Sequence, residues 1–406
     1  MTLSAPALSN PNKVSQPNVG PPIAGRFENL TDNILPTSKH HLSDELSLPE
    51  YHQWKRELSV TNGIDFLIQS APIYQISPTN GKSYLDNELD LYFNWRLFES
   101  DRTTGSIFFW GLYVQTFTEA PTGAYASSLG LLTLPNGGAT DPNKAAVAPA
   151  ALWWQQEFNS GFNFRIGQLL ASSLWGANSY LGDDRETFMN SVFAANQGVP
   201  WSSGNRGLGA MAGFDAGPFY LSAGVQDAKG DQSSIDFQSF SDGKFAYLAE
   251  IGLTPTLPDG RSGKYSVTIG HVDRTGTGAA RDQRDGWGVI VSAEQDINDR
   301  LAAFGILRRS WGRFAGNMEM TAGAGLIAKA PFGWTDDQIG LGGFFAKPHD
   351  TMAGTLRNEF GVEAYWRAQL TPRLDFTPDV QVYLQPGRKT TNDPVFVFGA
   401  RTRVAF

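Results

Sequence analysis

Charged residues stand at every second position in several apolar stretches of this chain, and that spacing limits the chemistry open to them. Glu88, Asp90 and Arg96 alternate with Leu89, Leu91, Trp95 and Leu97, while Glu359, Glu363 and Arg367 alternate with Phe360, Val362, Ala364 and Trp366. Asp375 and Asp379 follow the same rule, as do Arg401 and Arg403, and Arg165 and Glu250 sit in two further runs of this kind. Carboxylates and planar guanidinium forks in such rows offer matched acceptors and donors to a hydroxyl-rich ligand. The same residues also suit a ladder of ion pairs that braces a wall, and both readings stay open on spacing alone.

Catalytic constellations fail on spacing. Paired acids occur at Asp183–Asp184, Asp336–Asp337 and Glu359 with Glu363. A glycosidase holds two carboxyls about 5–9.5 Å apart across a cleft. Adjacent acids in Gly-rich loops are ordinary turn residues, and positions i and i+4 on a strand lie too far apart for the retaining geometry. His40, His41, His52, His271 and His349 are scattered with no HExxH, and Cys is absent, so zinc and thiolate chemistry are not expected. No GxSxG elbow, P-loop or Rossmann glycine signature occurs, so no enzyme activity and no cofactor are expected.

The elements that must position these charges are strands. From Asn62 onward the apolar period is two, the pattern of strands with one apolar and one wet face. Sixteen strands are predicted, near 62–76, 86–99, 104–118, 149–159, 162–170, 207–216, 218–228, 244–255, 264–274, 285–296, 300–310, 320–329, 337–346, 356–369, 373–384 and 394–406. Tight turns at Asn159–Ser160–Gly161, Asp215–Ala216–Gly217, Ile297–Asn298–Asp299 and Thr371–Pro372 alternate with longer loops, longest at 119–148 and 171–206. No window of about 20 apolar residues can form a spanning helix. Aromatic residues at 12% with 44 Gly disfavour both disorder and a helical protein, and a mean hydropathy of −0.27 suits alternating strands. A net charge of −8 argues against a nucleic-acid partner.

An even set of antiparallel strands with short turns at one rim and long loops at the other is the pattern of an outer-membrane β-barrel. The fold expected is therefore all-β, a transmembrane antiparallel barrel of sixteen strands with short periplasmic turns and long extracellular loops. Each Arg placed on the lipid face near midplane would cost about 2–4 kcal/mol. The charged rows should thus face the lumen. Residues 1–46, rich in Pro, Asn and Ser, read as an extended arm, and 47–60 as a short periplasmic helix. Ser47 and Glu50 would form a capping box for that helix, with Pro49 in its first turn. The barrel takes 61–406. The N-terminus shows neither a basic n-region nor an apolar h-region, as expected of a mature form with its signal peptide removed or of a cytosolic protein.

The C-terminal run EFGVEAYWRAQLTPRLDFTPDVQVYLQPG, followed by VFVFGARTRVAF, resembles the carbohydrate-selective porin family of bacterial outer membranes, OprB type. The residues that carry the likeness are Glu363, Tyr365, Pro378, Asp379, Gln381, Pro386, Gly387, Gly399, Arg401 and Phe406. Upstream, FRIGQLLA (Phe164 to Ala171), FMNSVF (Phe188 to Phe193) and FYLSAGVQDA (Phe219 to Ala228) are similar as well, and the arm before residue 46 is a departure.

The resemblance implies a bacterial outer-membrane location and passive diffusion of mono- or oligosaccharides. Glu88, Asp90, Arg96, Arg165, Glu250, Glu359, Glu363, Arg367, Asp379, Arg401 and Arg403 would line the path. The 171–206 loop would fold inward as a constriction carrying Trp175, Asp183, Asp184, Arg185 and Trp201. Trp153, Trp154 and Trp311 either stack on sugar rings or belong to lipid-interface girdles. Phe406 would be the assembly signal read by the outer-membrane assembly machinery, with membrane lipid as the other partner. The alternatives are a general porin for small polar solutes, or a scaffold barrel whose arm plugs the pore or binds a periplasmic partner.

Overall fold

Alternation of period two leaves each strand with one face to bury and one to show, and closing the sheet on itself sorts the two faces into inside and outside. The computed structural model of the protein describes residues 40–42, 48–138, 145–195, 199, 206–230, 241–276, 284–313, 318–350, 356–391 and 393–406. Sixteen antiparallel strands form one closed barrel in chain order, with the last strand paired to the first. They are β1 (Ile64–Ile76), β2 (Ser83–Glu99), β3 (Thr103–Thr116), β4 (Ala145–Phe158), β5 (Phe162–Leu170), β6 (Arg206–Ala216), β7 (Phe219–Asp227) and β8 (Phe245–Leu253). The second half comprises β9 (Gly263–Val272), β10 (Gly286–Asn298), β11 (Leu301–Trp311), β12 (Met318–Lys329), β13 (Gln338–Pro348), β14 (Glu359–Thr371), β15 (Leu374–Gln385) and β16 (Val395–Ala405).

Register keeps the charged face continuous around the wall. Glu363 lies beside Gln381, Asp375 beside Arg403, and Ile73 on β1 beside Arg401. Outward positions are apolar and half exposed, among them Leu89, Leu91, Ile166, Leu221, Ile251, Val267, Ile269, Val291, Leu341 and Phe398. This is the lipid band that the alternation demands. Trp287, opposite Trp311 on β11, and Trp95 with Phe98 near the other end of β2 mark its two aromatic edges.

Helix α1 (Pro49–Asn62) leads into β1. Its cap is Leu48, in the left-handed region with φ 50°, and no side chain caps it; Ser47 lies outside the described residues. The turn Pro372–Arg373 holds this helix from beside the barrel. Arg373 places its guanidinium 4.4 Å from the Tyr51 ring centroid and 5.3 Å from that of Phe406, and meets His52 Nε2 at 2.8 Å. Of the N-terminal arm, residues 40–42 are described. Leu42 N donates to Leu370 O at 2.8 Å, and His41 meets Asp337 Oδ2 at 2.9 Å while stacking on Trp334.

The core of the molecule is inside the barrel. Two long loops turn inward and fill it: the β3–β4 loop, with helix α2 (Thr122–Leu129), and the β5–β6 loop, with α3 (Ala171–Leu174) and α4 (Ser191–Ala194). Leu129, Leu131, Trp175, Phe188 and Phe193 are fully buried there, the two phenylalanines against wall residues Phe304, Phe344 and Tyr365. The space for Phe193 comes from the wall, because a Cβ at Gly323 would stand 2.5 Å from its ring.

Candidate functional site: the loop-crossed lumen

A loop that enters a barrel takes its backbone N–H and C=O groups away from bulk water, so the wall must satisfy them. Carboxylates accept, guanidinium and amide groups donate, and the inward rows supply both. Glu250 on β8 takes the N–H of Gly176 at 2.6 Å, and the hydroxyls of Tyr220 and Thr268 complete its shell. Glu294 on β10 takes the N–H and hydroxyl of Ser179, each at 2.6 Å. On the far side Glu363 accepts from the N–H groups of Met189 at 2.5 Å and Asn190 at 3.1 Å. Arg308 donates to Val192 O at 2.6 Å, and Arg401 donates to the carbonyls of Asp184 and Thr187. The β5–β6 loop therefore crosses the whole lumen, tied in turn to β8, β10, β16, β14 and β11.

The β3–β4 loop is tied differently. The single carboxylate of Glu359 accepts from Leu132 N at 2.7 Å, Thr133 N at 2.8 Å, the Thr133 hydroxyl at 2.6 Å and Gly387 N at 2.9 Å. Gln75 and Gln381 both donate to Pro135 O, at 2.9 and 2.8 Å.

Where the β5–β6 loop meets β2 it carries charge. Arg185 lies against Glu88 and meets Asp90 at 2.5 Å, with Asp183 and Asp184 each at 3.5 Å. Its guanidinium sits 5.7 Å from the Trp110 ring centroid, and Trp110 donates its indole N–H to Asp90 at 2.8 Å. Tyr92 lies against Trp110 at 5.0 Å, and Phe108 stacks on Trp153 at 4.5 Å, giving β2–β4 an inward aromatic wall. Burial works against the Arg185 cation, but Asp90 and Glu88 hold it well above its ordinary value. Burial raises the Asp184 carboxyl, against the pull of Arg185 and with the push of Asp183. One residue further on, Glu186 pairs with Arg403 and lies 3.6 Å from Arg367, while Arg403 also holds Asp375 at 2.7 Å.

Of the residues singled out from sequence, Glu88, Asp90, Arg165, Glu250, Glu359, Glu363, Asp379 and Arg401 are buried on the inner face, and Arg367 and Arg403 are partly exposed there. Glu88, Asp90, Arg367, Arg401 and Arg403 meet at the loop segment 183–187; Glu250, Glu359 and Glu363 hold loop backbone elsewhere. Arg165 approaches Asn163 and Met211. Asp379 accepts from Gln381 at 3.1 Å. Arg96 stands at the turn end of β2, where a bulge shifts the register and its guanidinium reaches Ser59 O of α1 and Glu99. Trp175 is buried under Gly224, and Trp201 lies outside the described residues. Trp110 and Phe108 escaped sequence reasoning, although the alternation along 104–118 carried the signal; Tyr92 falls on the inward face of β2 that the alternation of 86–99 predicts. The backbone N–H groups that occupy the carboxylates carry no sequence signal at all. Among the described residues no group of His, Asp and Glu is placed to hold a metal ion.

A closed barrel with polar, charged inner faces, an apolar outer band and a charged loop across its lumen defines a porin. The chain belongs to the carbohydrate-selective porin, OprB family, whose profile matches residues 133–406. Porin AaxA of Chlamydia pneumoniae is 23% identical over 93% of this chain and 90% of its own. Porin AaxA of Chlamydia abortus is 24% identical over 65% of this chain, which spans 59% of that relative's length. The high-pH structure of Pseudomonas putida OprB superposes with a TM-score of 0.73 at 14% identity, over 91% of this chain and 99% of that one, a likeness of fold. Family and fold place the protein in the outer membrane of a Gram-negative bacterium and correspond to the expected architecture.

Proposed function

We propose that the protein lets sugars diffuse passively through the barrel and that the segment 183–187 of the β5–β6 loop sets what passes. The observation that carries this reading is Arg185 seated between Glu88 and Asp90 beside the Trp110 face. Sugar hydroxyls exchange water hydrogen bonds for those of carboxylate and guanidinium groups at little net cost, and a pyranose face suits an aromatic wall. Arg367, Arg403 and Glu186 offer a second set of donors and acceptors on the opposite side of the same loop. Selectivity then follows from passage width plus matched polar contacts, with no energy coupling.

Membrane lipid on the outer band and the assembly machinery, reading Phe406, are the further partners in this reading, with a signal peptide removed during export. The test is single-channel conductance of the purified protein in a planar bilayer, with a titration of mono- and oligosaccharides. Discrete steps that sugars block support the reading. Steps that no sugar blocks turn it to a general porin, and an absence of steps overturns the channel.

A further inference from the structure

Each strand of the barrel is joined to its neighbour by chain except at the closing seam, where β16 and β1 meet by their ladder alone. That ladder is interrupted in its middle. Ser70 pairs with Val404 and the register resumes with Ile73 opposite Arg401, while Pro72, which has no N–H to donate, stands between. The seam is the joint that gains most from a tie placed elsewhere.

Such a tie runs along the short-turn rim, and its contacts fall on both sides of the seam. On the β14 side, His41 of the N-terminal arm occupies a built socket. Its imidazole stacks on Trp334 at 3.9 Å, stands edge-on to Trp366 at 6.2 Å and meets Asp337 Oδ2 at 2.9 Å. Asp337 is buried and held in place by two further donors, the Trp366 indole N–H at 3.0 Å and Gln369 N at 2.9 Å. His40 lies 3.2 Å from Asp336, and Leu42 N donates to Leu370 O at the end of β14. Trp366 stands in the outward row of β14, opposite Ile339, so the socket opens on the outer side of the wall. At the seam, Arg373 bridges α1 and β16, reaching Tyr51 and His52 on one side and the Phe406 ring on the other, while its carbonyl accepts from Ala405 N at 2.9 Å. Past the seam, Trp54 and Lys55 of α1 lie on Phe66 of β1, and Arg96 of β2 donates to Ser59 O at 3.0 Å.

We propose that residues 40–42 and helix α1 together form a strap that locks the closing seam, and that the Trp334–Trp366–Asp337 socket is the binding site for the His41 end of it. A carboxylate fixed beside an indole face suits a stacked imidazole, which gives that end both a polar and an aromatic contact. The strap does for β16 and β1 what a covalent turn does for every other pair. Parting the seam then requires breaking the strap as well, which slows unfolding. A chain held in this socket lies against the outer side of the wall and not in the lumen, so the arm is a fastening and not a plug.

The test follows the conversion of the fast-migrating folded form to the slow unfolded form on unboiled gels at a fixed temperature. His41→Ala in the full chain should convert roughly fivefold faster, the effect of losing about one hydrogen bond, and deletion of residues 1–42 faster still. Single-channel steps should stay at their original size in both. The chain has no Cys, so Leu42→Cys with Leu370→Cys gives a clean proximity probe, and a short bismaleimide should join the two within one chain. An unchanged conversion rate for His41→Ala overturns the strap. Larger steps after the deletion overturn it in favour of a plug, and a cross-link found only between chains, or none, overturns the socket assignment.

Discussion

The two loops that fill the lumen are held by the same chemistry and do different things. The part of the β3–β4 loop from α2 onward, 122–138, contains no charged residue, and four donors converge on Glu359 to hold its middle and the Gly387 loop together. The β5–β6 loop carries Asp183, Asp184, Arg185 and Glu186 in succession and is fastened on both sides of that run. One is neutral packing that narrows the lumen, and the other presents charge to whatever passes. In both, the wall grips backbone groups, and at 183–186 it grips side chains as well, Arg185 through Glu88 and Asp90 and Glu186 through Arg403. The course of the loop is set by its peptide groups, and the charged run is locked to the wall by its own ion pairs.

The contrast breaks most severely at Arg185. Replacing it with Ala leaves Glu88, Asp90 and Asp184 buried around a lost cation, and removing one partner of a buried pair costs about 3–5 kcal/mol. A lower thermal unfolding temperature, with sugar block lost in the surviving channels, is expected; block that persists at wild-type affinity would falsify the role of this segment.

The two glutamates of β14 separate the loops. Glu363→Ala frees the β5–β6 loop at Met189 and Asn190, and each orphaned buried donor costs about 1–3 kcal/mol until water reaches it. Single-channel steps should become larger and sugar block weaker. Glu359→Ala should also enlarge the steps but leave the sugar concentration for half-block near wild type, because the charged loop stays tied. Equal loss of block in both variants would erase the distinction.

Gly323→Val tests packing under α4. The new side chain meets Phe193, and overpacking of this kind costs about 1–3 kcal/mol, read as a denaturant midpoint shift with little change in block. The smallest effect belongs to the exposed turn, where Arg261 holds the Asp259 carboxyl below its usual range by a hydrogen bond. A depressed carboxyl lends its small stabilisation above its unfolded pKa and loses it as pH falls through the folded one. Arg261→Ala should remove that trace of acid sensitivity and leave conductance unchanged.

How much of this was legible in the sequence follows from periodicity. The strands were, because lipid outside and water inside impose a period of two: 162–170 is β5 to the residue, and most other limits differ by one to four. The inward charges were legible for the same reason. Their partners were not. The loops have no period, and the groups that occupy Glu359 and Glu363 are peptide N–H groups, which every residue but proline has. Arg96 shows the limit of alternation, since the bulge between Arg96 and Phe98 hands its side chain to α1 at the rim.

The Glu359 clasp also sets an order of events during folding. It joins Leu132 and Thr133 to a residue more than 220 positions later in the chain, and Glu363 reaches back over 170 positions to the other loop. Contacts so distant in sequence wait until the intervening chain has paired, because closing so long a segment earlier is entropically unfavourable. The ties to β8 and β10 can form first, and those to β14 close the two loops over the bore last. Narrowing of the bore is therefore a late act of maturation, and a protein caught before it would leak.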